Sequence, residues 1–240
     1  MNMNEVASKL NGYYFLDKDG KEDRTICQYM RLDYLIQLLE TQKYYVKRRK
    51  YFDDLNERYQ NTKLAFAPVL VRNNDVSNVD SPKRKIPYMK IVNCPTSCWT
   101  MCERESFLMW KSYATEMGAC IRTSVHRFID SLLPDFSLNS TNRIVAGSMI
   151  YDKVKPSFDE IHQLFDKDYV YADEQEFRFY FYLADDDGKE TRGICLPVNT
   201  SGMIEEILLS PFINKEAADS LAQMIENAYH INVNPSSIKL

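Results

Sequence analysis

The 240-residue chain has no apolar run of membrane-spanning length, so it offers no candidate for a transmembrane helix. Its first residues, MNMNEVASKL, carry neither a basic stretch nor an apolar core, and no secretory leader is expected. A soluble, cytoplasmic protein without a membrane partner is the expectation. Glycine is scarce at seven residues, against sixteen tyrosines, which argues for a compact aromatic-rich fold over a flexible or repetitive one. Histidine is scarcer still. His126, His162 and His230 are scattered, and no two have the spacing of paired metal ligands.

Six cysteines in a chain this long do not make a disulfide scaffold. Cys94, Cys98 and Cys102 recur every fourth residue, a spacing that matches no common zinc or iron–sulfur pattern, so no metal site is expected from them. If "SCWTMC" is a strand, Cys98, Thr100 and Cys102 face one side and act as small buried hydrophobes.

What is present is ordinary in amount, 45% apolar and 27% charged, but uneven in charge. Residues 1–104 carry 18 basic and 13 acidic side chains, a net of +5, and residues 105–240 carry 12 and 21, a net of −9. A basic half can face a phosphate-bearing partner. The segment "KYYVKRRKYF" mixes Lys47, Arg48, Arg49 and Lys50 with tyrosines, a composition suited to phosphate contact and base stacking. The same residues also suit a solvated strand whose edge is guarded by charge.

Periodicity places strands and helices in irregular alternation. "GYYFLDKDGKEDRTICQYM" reads as two short strands about a turn, and "RLDYLIQLLETQ" as a helix with Leu32, Leu35, Ile36 and Leu39 on one face. Residues 72–87 have no periodicity and many breakers, and a mobile surface loop is expected there. "ERESFLMWKSYATEM" reads as a helix with Phe107, Trp110, Tyr113, Ala114 and Met117 on its apolar face, closed by Gly118. "PSFDEIHQLFDK" reads as a further helix, and "DDDGKETRG" as a hairpin turn. The order predicts one α+β domain with a mixed, mostly antiparallel sheet and flanking helices.

Four segments in order, "YFDDLNE", "CWTMCERESFLMWKSYATEMGACI", "KDYVYADEQEFR" and "MIEEILLSPF…INVNPSSI", resemble a mainly bacterial family catalogued as domain of unknown function 2971. The chain departs from that pattern at Asp53, Leu55 and Tyr171. The resemblance implies no reaction. It does mark Lys167, Glu174, Glu176 and Arg178 as the polar residues that match the family pattern.

In "YADEQEFRFYFY", strand alternation puts Phe177, Phe179 and Phe181 on one face as core, and Glu174, Glu176 and Arg178 on the other. That second face is either a wet edge or a reaction site. Glu-x-Glu opening a strand is similar to the catalytic motif of ADP-ribosyltransferases, and this likeness implies NAD as co-substrate. Glu176 would stabilise the oxocarbenium-like centre formed as the nicotinamide–ribose bond breaks, and Glu174 would stand on the acceptor side. The likeness also implies an early basic or aromatic group for the dinucleotide, with Arg31 and Tyr29 as candidates beside Arg24. Trp110 and Tyr113 are stacking candidates, although an aromatic stripe at helical spacing more often packs a core. Asp54 and Glu57 either shape their turn or join Glu174 and Glu176 as magnesium ligands of a nuclease, with Lys167 completing the centre. A non-catalytic nucleic-acid-binding or sensing module, for instance in phage defence, is the third reading. Oligomeric state is not legible.

Overall fold

A computed structural model of the chain describes residues 13–16, 23–52, 94–101, 104–132, 143–151, 165–183 and 191–239. The fold is α+β with a mixed, mostly antiparallel sheet, as the order of elements predicts. Among the described residues no helix is long and apolar enough to cross a membrane. The chain groups into two compact units. One comprises residues 1–22, 46–98 and 137–194, and the other residues 23–45, 99–136 and 195–240.

In the first unit, β1 (Tyr13–Leu16) lies parallel to β6 (Arg143–Ser148), with Tyr13 opposite Ile144. β6 is antiparallel to β7 (Glu176–Tyr182), with Val145 opposite Tyr180 and Gly147 opposite Arg178. Phe177, Phe179 and Phe181 are fully buried, and their rings follow one another at 5.1 and 6.5 Å, which makes this face core as expected. The opposite face is buried as well. Tyr180 has no exposed surface and meets Phe165 edge-on at 5.4 Å, and Arg178 is 1% exposed. A strand covered on both faces cannot present a wet charged edge, so its charges must be answered by protein groups. In this unit the Arg48 end of β3 (Lys43–Arg48) pairs antiparallel with the start of β4 (Pro95–Thr100), Lys47 opposite Thr96.

In the second unit, β2 (Thr25–Arg31) is antiparallel to β5 (Gly118–Ser124), and β5 to β9 (Glu206–Leu209). β9 is parallel to β10 (Val233–Pro235), and the helix between them supplies the crossover that a parallel pair requires. That helix spans Lys215–Tyr229, begins where Asn214 accepts a hydrogen bond from Ala217 N at 2.8 Å, and ends on His230 in the left-handed region. The helix expected after β2 runs over Leu32–Thr41 and buries Leu35, Leu38 and Leu39. Another, Val125–Ser131, is capped by Ser124, and a single turn, Thr200–Met203, by Asn199.

The long helix expected over residues 103–117 is corrected. Phe107–Met109 runs into a π-helical turn, Trp110–Ala114, which Thr115 ends at φ 61°. The wider turn breaks the expected apolar face. Trp110 and Ala114 are buried, whereas Phe107, Tyr113 and Met117 stay about half exposed. Gly118 opens β5 instead of closing a helix. A Cβ there would stand 2.2 Å from the Ala114 carbonyl oxygen, so only glycine permits the return of the chain. The expected loop at 72–87, most of the helix at 156–167 and most of the turn at 185–193 fall outside the described residues.

Candidate functional site

Glu174 and Glu176 do not share a strand face. Glu174 ends a 3-10 turn, Tyr169–Glu174, which Asp168 caps by accepting from Val170 N at 3.1 Å. Gln175 then takes φ 44°, in the left-handed region, and β7 starts only at Glu176. This break replaces the alternation expected of a continuous strand. The two carboxylates are nevertheless joined by Lys167, whose Nζ donates to Glu174 Oε2 at 2.6 Å and to Glu176 Oε2 at 3.0 Å.

Glu176 and Arg178, two residues apart on β7, form a bidentate pair. Arg178 Nε donates to Oε1 and an Arg178 terminal nitrogen to Oε2, both at 2.8 Å. Arg178 also lies 5.8 Å from the Phe52 ring, and Lys167 Nζ 4.8 Å from the Tyr171 ring. Cys98, on β4, is among the groups that lower the Glu176 pKa. The backbone of Glu176 is tied to residues 149–151: its carbonyl accepts from Met149 N at 2.8 Å, and its N–H donates to the Tyr151 hydroxyl at 2.8 Å. The same short segment holds Lys167, whose N–H donates to the Ile150 carbonyl at 3.0 Å. The segment 149–151 therefore holds the backbone of both charged residues.

Electrostatics follow from this enclosure. Burial alone would raise the Glu176 pKa, but the Arg178 charge and hydrogen bonds, the Lys167 charge and the Cys98 thiol hold it at about 2. Burial works against the Arg178 charge, and Glu176 overrides it, keeping the guanidinium ionised. Burial pushes the Tyr151 hydroxyl up to about 12, and the Glu176 charge adds to the effect. With Glu176 only 6% exposed, the result is an anion fixed in place and ionised throughout the neutral range. Such a group does not exchange protons near pH 7. It can stabilise positive charge that develops beside it.

Of the residues singled out from sequence, Lys167, Glu174, Glu176 and Arg178 are brought together. Arg48 and Arg49 are buried at 3% and 1% exposure, so of the four basic residues at 47–50 only Lys47 and Lys50 keep partial exposure. In the second unit, Arg31 is exposed and paired with Asp33 at 2.7 Å. Tyr29 is buried, accepts from Ser106 N at 2.9 Å, and meets Trp110 edge-on at 5.0 Å. Trp110 is core and donates to Glu105 at 3.0 Å, whereas Tyr113 is exposed. Asp54 and Glu57 lie outside the described residues.

Among the described residues, no three His, Cys, Asp or Glu side chains gather as a metal would require, and the point shared by Glu174 and Glu176 carries Lys167 Nζ. Sequence reasoning missed Tyr151 and misplaced Cys98, which is partly exposed instead of buried. Alternation in "SCWTMC" gave Cys98 a face but not the strand opposite it, and nothing in the sequence around Tyr151 singled it out.

Compared with family models, curated proteins and solved structures, the chain gives no match.

Proposed function

We propose that the chain is a cytoplasmic enzyme of ADP-ribosyltransferase-like design, related to the family of domain of unknown function 2971, that cleaves NAD and modifies a macromolecule, with nucleic acid as the first acceptor to test. The observation that carries this reading is Glu176, held ionised and nearly enclosed at the centre of a charge-balanced cluster. Cleavage of the nicotinamide–ribose bond builds positive charge on the sugar, and an anion fixed in advance stabilises that charge without reorganising. Glu174 is the less buried of the two carboxylates and is the group suited to the acceptor side, with Lys167 setting its distance from Glu176. Arg178 acts through Glu176 as a positioning residue.

The magnesium-nuclease reading gains less support, because a cation of the chain already bridges the two carboxylates and the other two proposed ligands are not described. The test is transfer of ribose-labelled NAD onto RNA, DNA and protein acceptors by the native chain, Glu174→Gln and Glu176→Gln. Transfer by the native chain that falls in both variants supports the reading. No transfer by the native chain, or equal transfer by all three, overturns it.

A further inference from the structure

Tyr151 stands beside Glu176 with part of its hydrogen-bonding capacity in use. A phenolic hydroxyl both accepts and donates. The Tyr151 oxygen accepts from Glu176 N at 2.8 Å, and among the described residues no acceptor takes the hydroxyl proton. The residue is half-buried, and the backbone before it is held by bonds from Met149 N to the Glu176 carbonyl and from Lys167 N to the Ile150 carbonyl. β8 (Gly193–Pro197) contributes none of these contacts. Burial and the Glu176 charge keep the phenol protonated, its pKa pushed up to about 12, so the donor persists through the neutral range and carries no charge. A neutral donor beside Glu174 and Glu176 does not suit a phosphate, which would meet both carboxylates as like charges. A sugar hydroxyl suits the arrangement better. Its oxygen accepts the tyrosine proton, and its own proton is free to go to a carboxylate, Glu174 being the more exposed of the two.

We infer that Tyr151 is a substrate-binding residue that donates its hydroxyl proton to the 2′-hydroxyl oxygen of the nicotinamide ribose, and so selects a ribosyl over a 2′-deoxyribosyl substrate; this rests on the NAD-cleaving reading above. The 2′ carbon adjoins the anomeric carbon, whose developing positive charge Glu176 answers in that reading, and the tyrosine oxygen lies one hydrogen bond from the Glu176 backbone. Tyr151 keeps its proton throughout and makes no covalent bond. Its contribution is orientation of the sugar and choice of substrate. A site built around a donor rejects the analogue that lacks the acceptor, because the donor is then left unpaired.

The experiment measures nicotinamide release by the full chain from NAD and from analogues lacking the 2′- or the 3′-hydroxyl of the nicotinamide ribose. Native chain and Tyr151→Phe are compared as kcat/KM, each rate taken above the uncatalysed one, with circular dichroism confirming the fold. Loss of the acceptor for Glu176 N acts on all three substrates alike, so the bond to substrate is read from the difference between them. A loss in Tyr151→Phe that is about tenfold larger on NAD and the 3′-deoxy analogue than on the 2′-deoxy analogue supports the inference. An equal loss on all three, no loss on any, or a loss spared only on the 3′-deoxy analogue overturns it and leaves NAD cleavage standing. A second protein carries 3,5-difluorotyrosine at position 151, which keeps the oxygen that accepts from Glu176 N and lowers the phenol pKa. Its kcat/KM on NAD should fall at an alkaline pH where the native chain is still active, and identical profiles overturn the inference. No nicotinamide release by the native chain overturns both.

Discussion

Replacing Glu176 with glutamine removes the anion that answers Arg178 and Lys167, and the cost should depend on pH in a way that identifies the group. In the folded chain Glu176 ionises at about 2, against an ordinary value of 4.5. At 1.36 kcal/mol per unit, that difference corresponds to about 3 kcal/mol of folding stability, an order-of-magnitude figure for a carboxylate this buried. A depressed folded pKa contributes stability above the unfolded value. The contribution is complete above about pH 5 and fades as pH falls through 4.5 toward 2. Glu176→Gln lacks this dependence and, at neutral pH, also leaves the buried Arg178 without its carboxylate, for a total cost of roughly 3–5 kcal/mol. Urea unfolding of both proteins by far-ultraviolet circular dichroism, from pH 7 down to pH 3, measures the gap between them. It should be widest near neutrality and narrow by roughly 2 kcal/mol by pH 3. A gap that stays constant with pH would refute the reasoning, because it would place the Glu176 ionisation at its ordinary value in the folded state.

Tyr151→Phe leaves the Glu176 N–H without its 2.8 Å acceptor, and urea titration should show a loss of about 1–3 kcal/mol. Hydrogen exchange at the Glu176 amide should accelerate in the same variant. Gly118→Ala places a Cβ against backbone 2.2 Å away, and several kcal/mol of destabilisation, about 3 or more, is expected in thermal melts. A neutral outcome there would contradict the return of the chain at Ala114. Glu105→Ala removes a carboxylate that accepts from Trp110 Nε1, from both Ser236 and Ser237 hydroxyls and from Ser237 N. Faster exchange of the amides at 236–238 and altered Trp110 fluorescence are the expected readouts.

The phenylalanine face of β7 was legible because period-two alternation needs no knowledge of the partner strand. The amphipathic helices at 32–41 and 215–229 were legible for a similar reason, since their spacing and caps are local. Glu174 and Glu176 are joined through Lys167, but not in the shared-face geometry expected of them. Gln175 in the left-handed region breaks the strand between them, and nothing about a glutamine at that point announces it. The π-helical turn at Trp110–Ala114 was illegible on the same ground, because a single widened turn leaves the 3.6-residue pattern almost intact in sequence. The role of Tyr151 depends on which segment folds against β7, a tertiary fact that spacing along one chain does not encode. Burial of Arg48 and Arg49 is of that kind too, since a basic run reads as surface until the fold covers it.

The most direct test is nicotinamide release from NAD by the native chain at pH 7, measured beside Glu176→Gln under conditions where circular dichroism finds both proteins folded. Release by the native chain and its loss in the variant is the expected result. Absence of release from the native chain, or equal release from both, would contradict Glu176 as the anion that stabilises the positive charge on the ribose as nicotinamide departs.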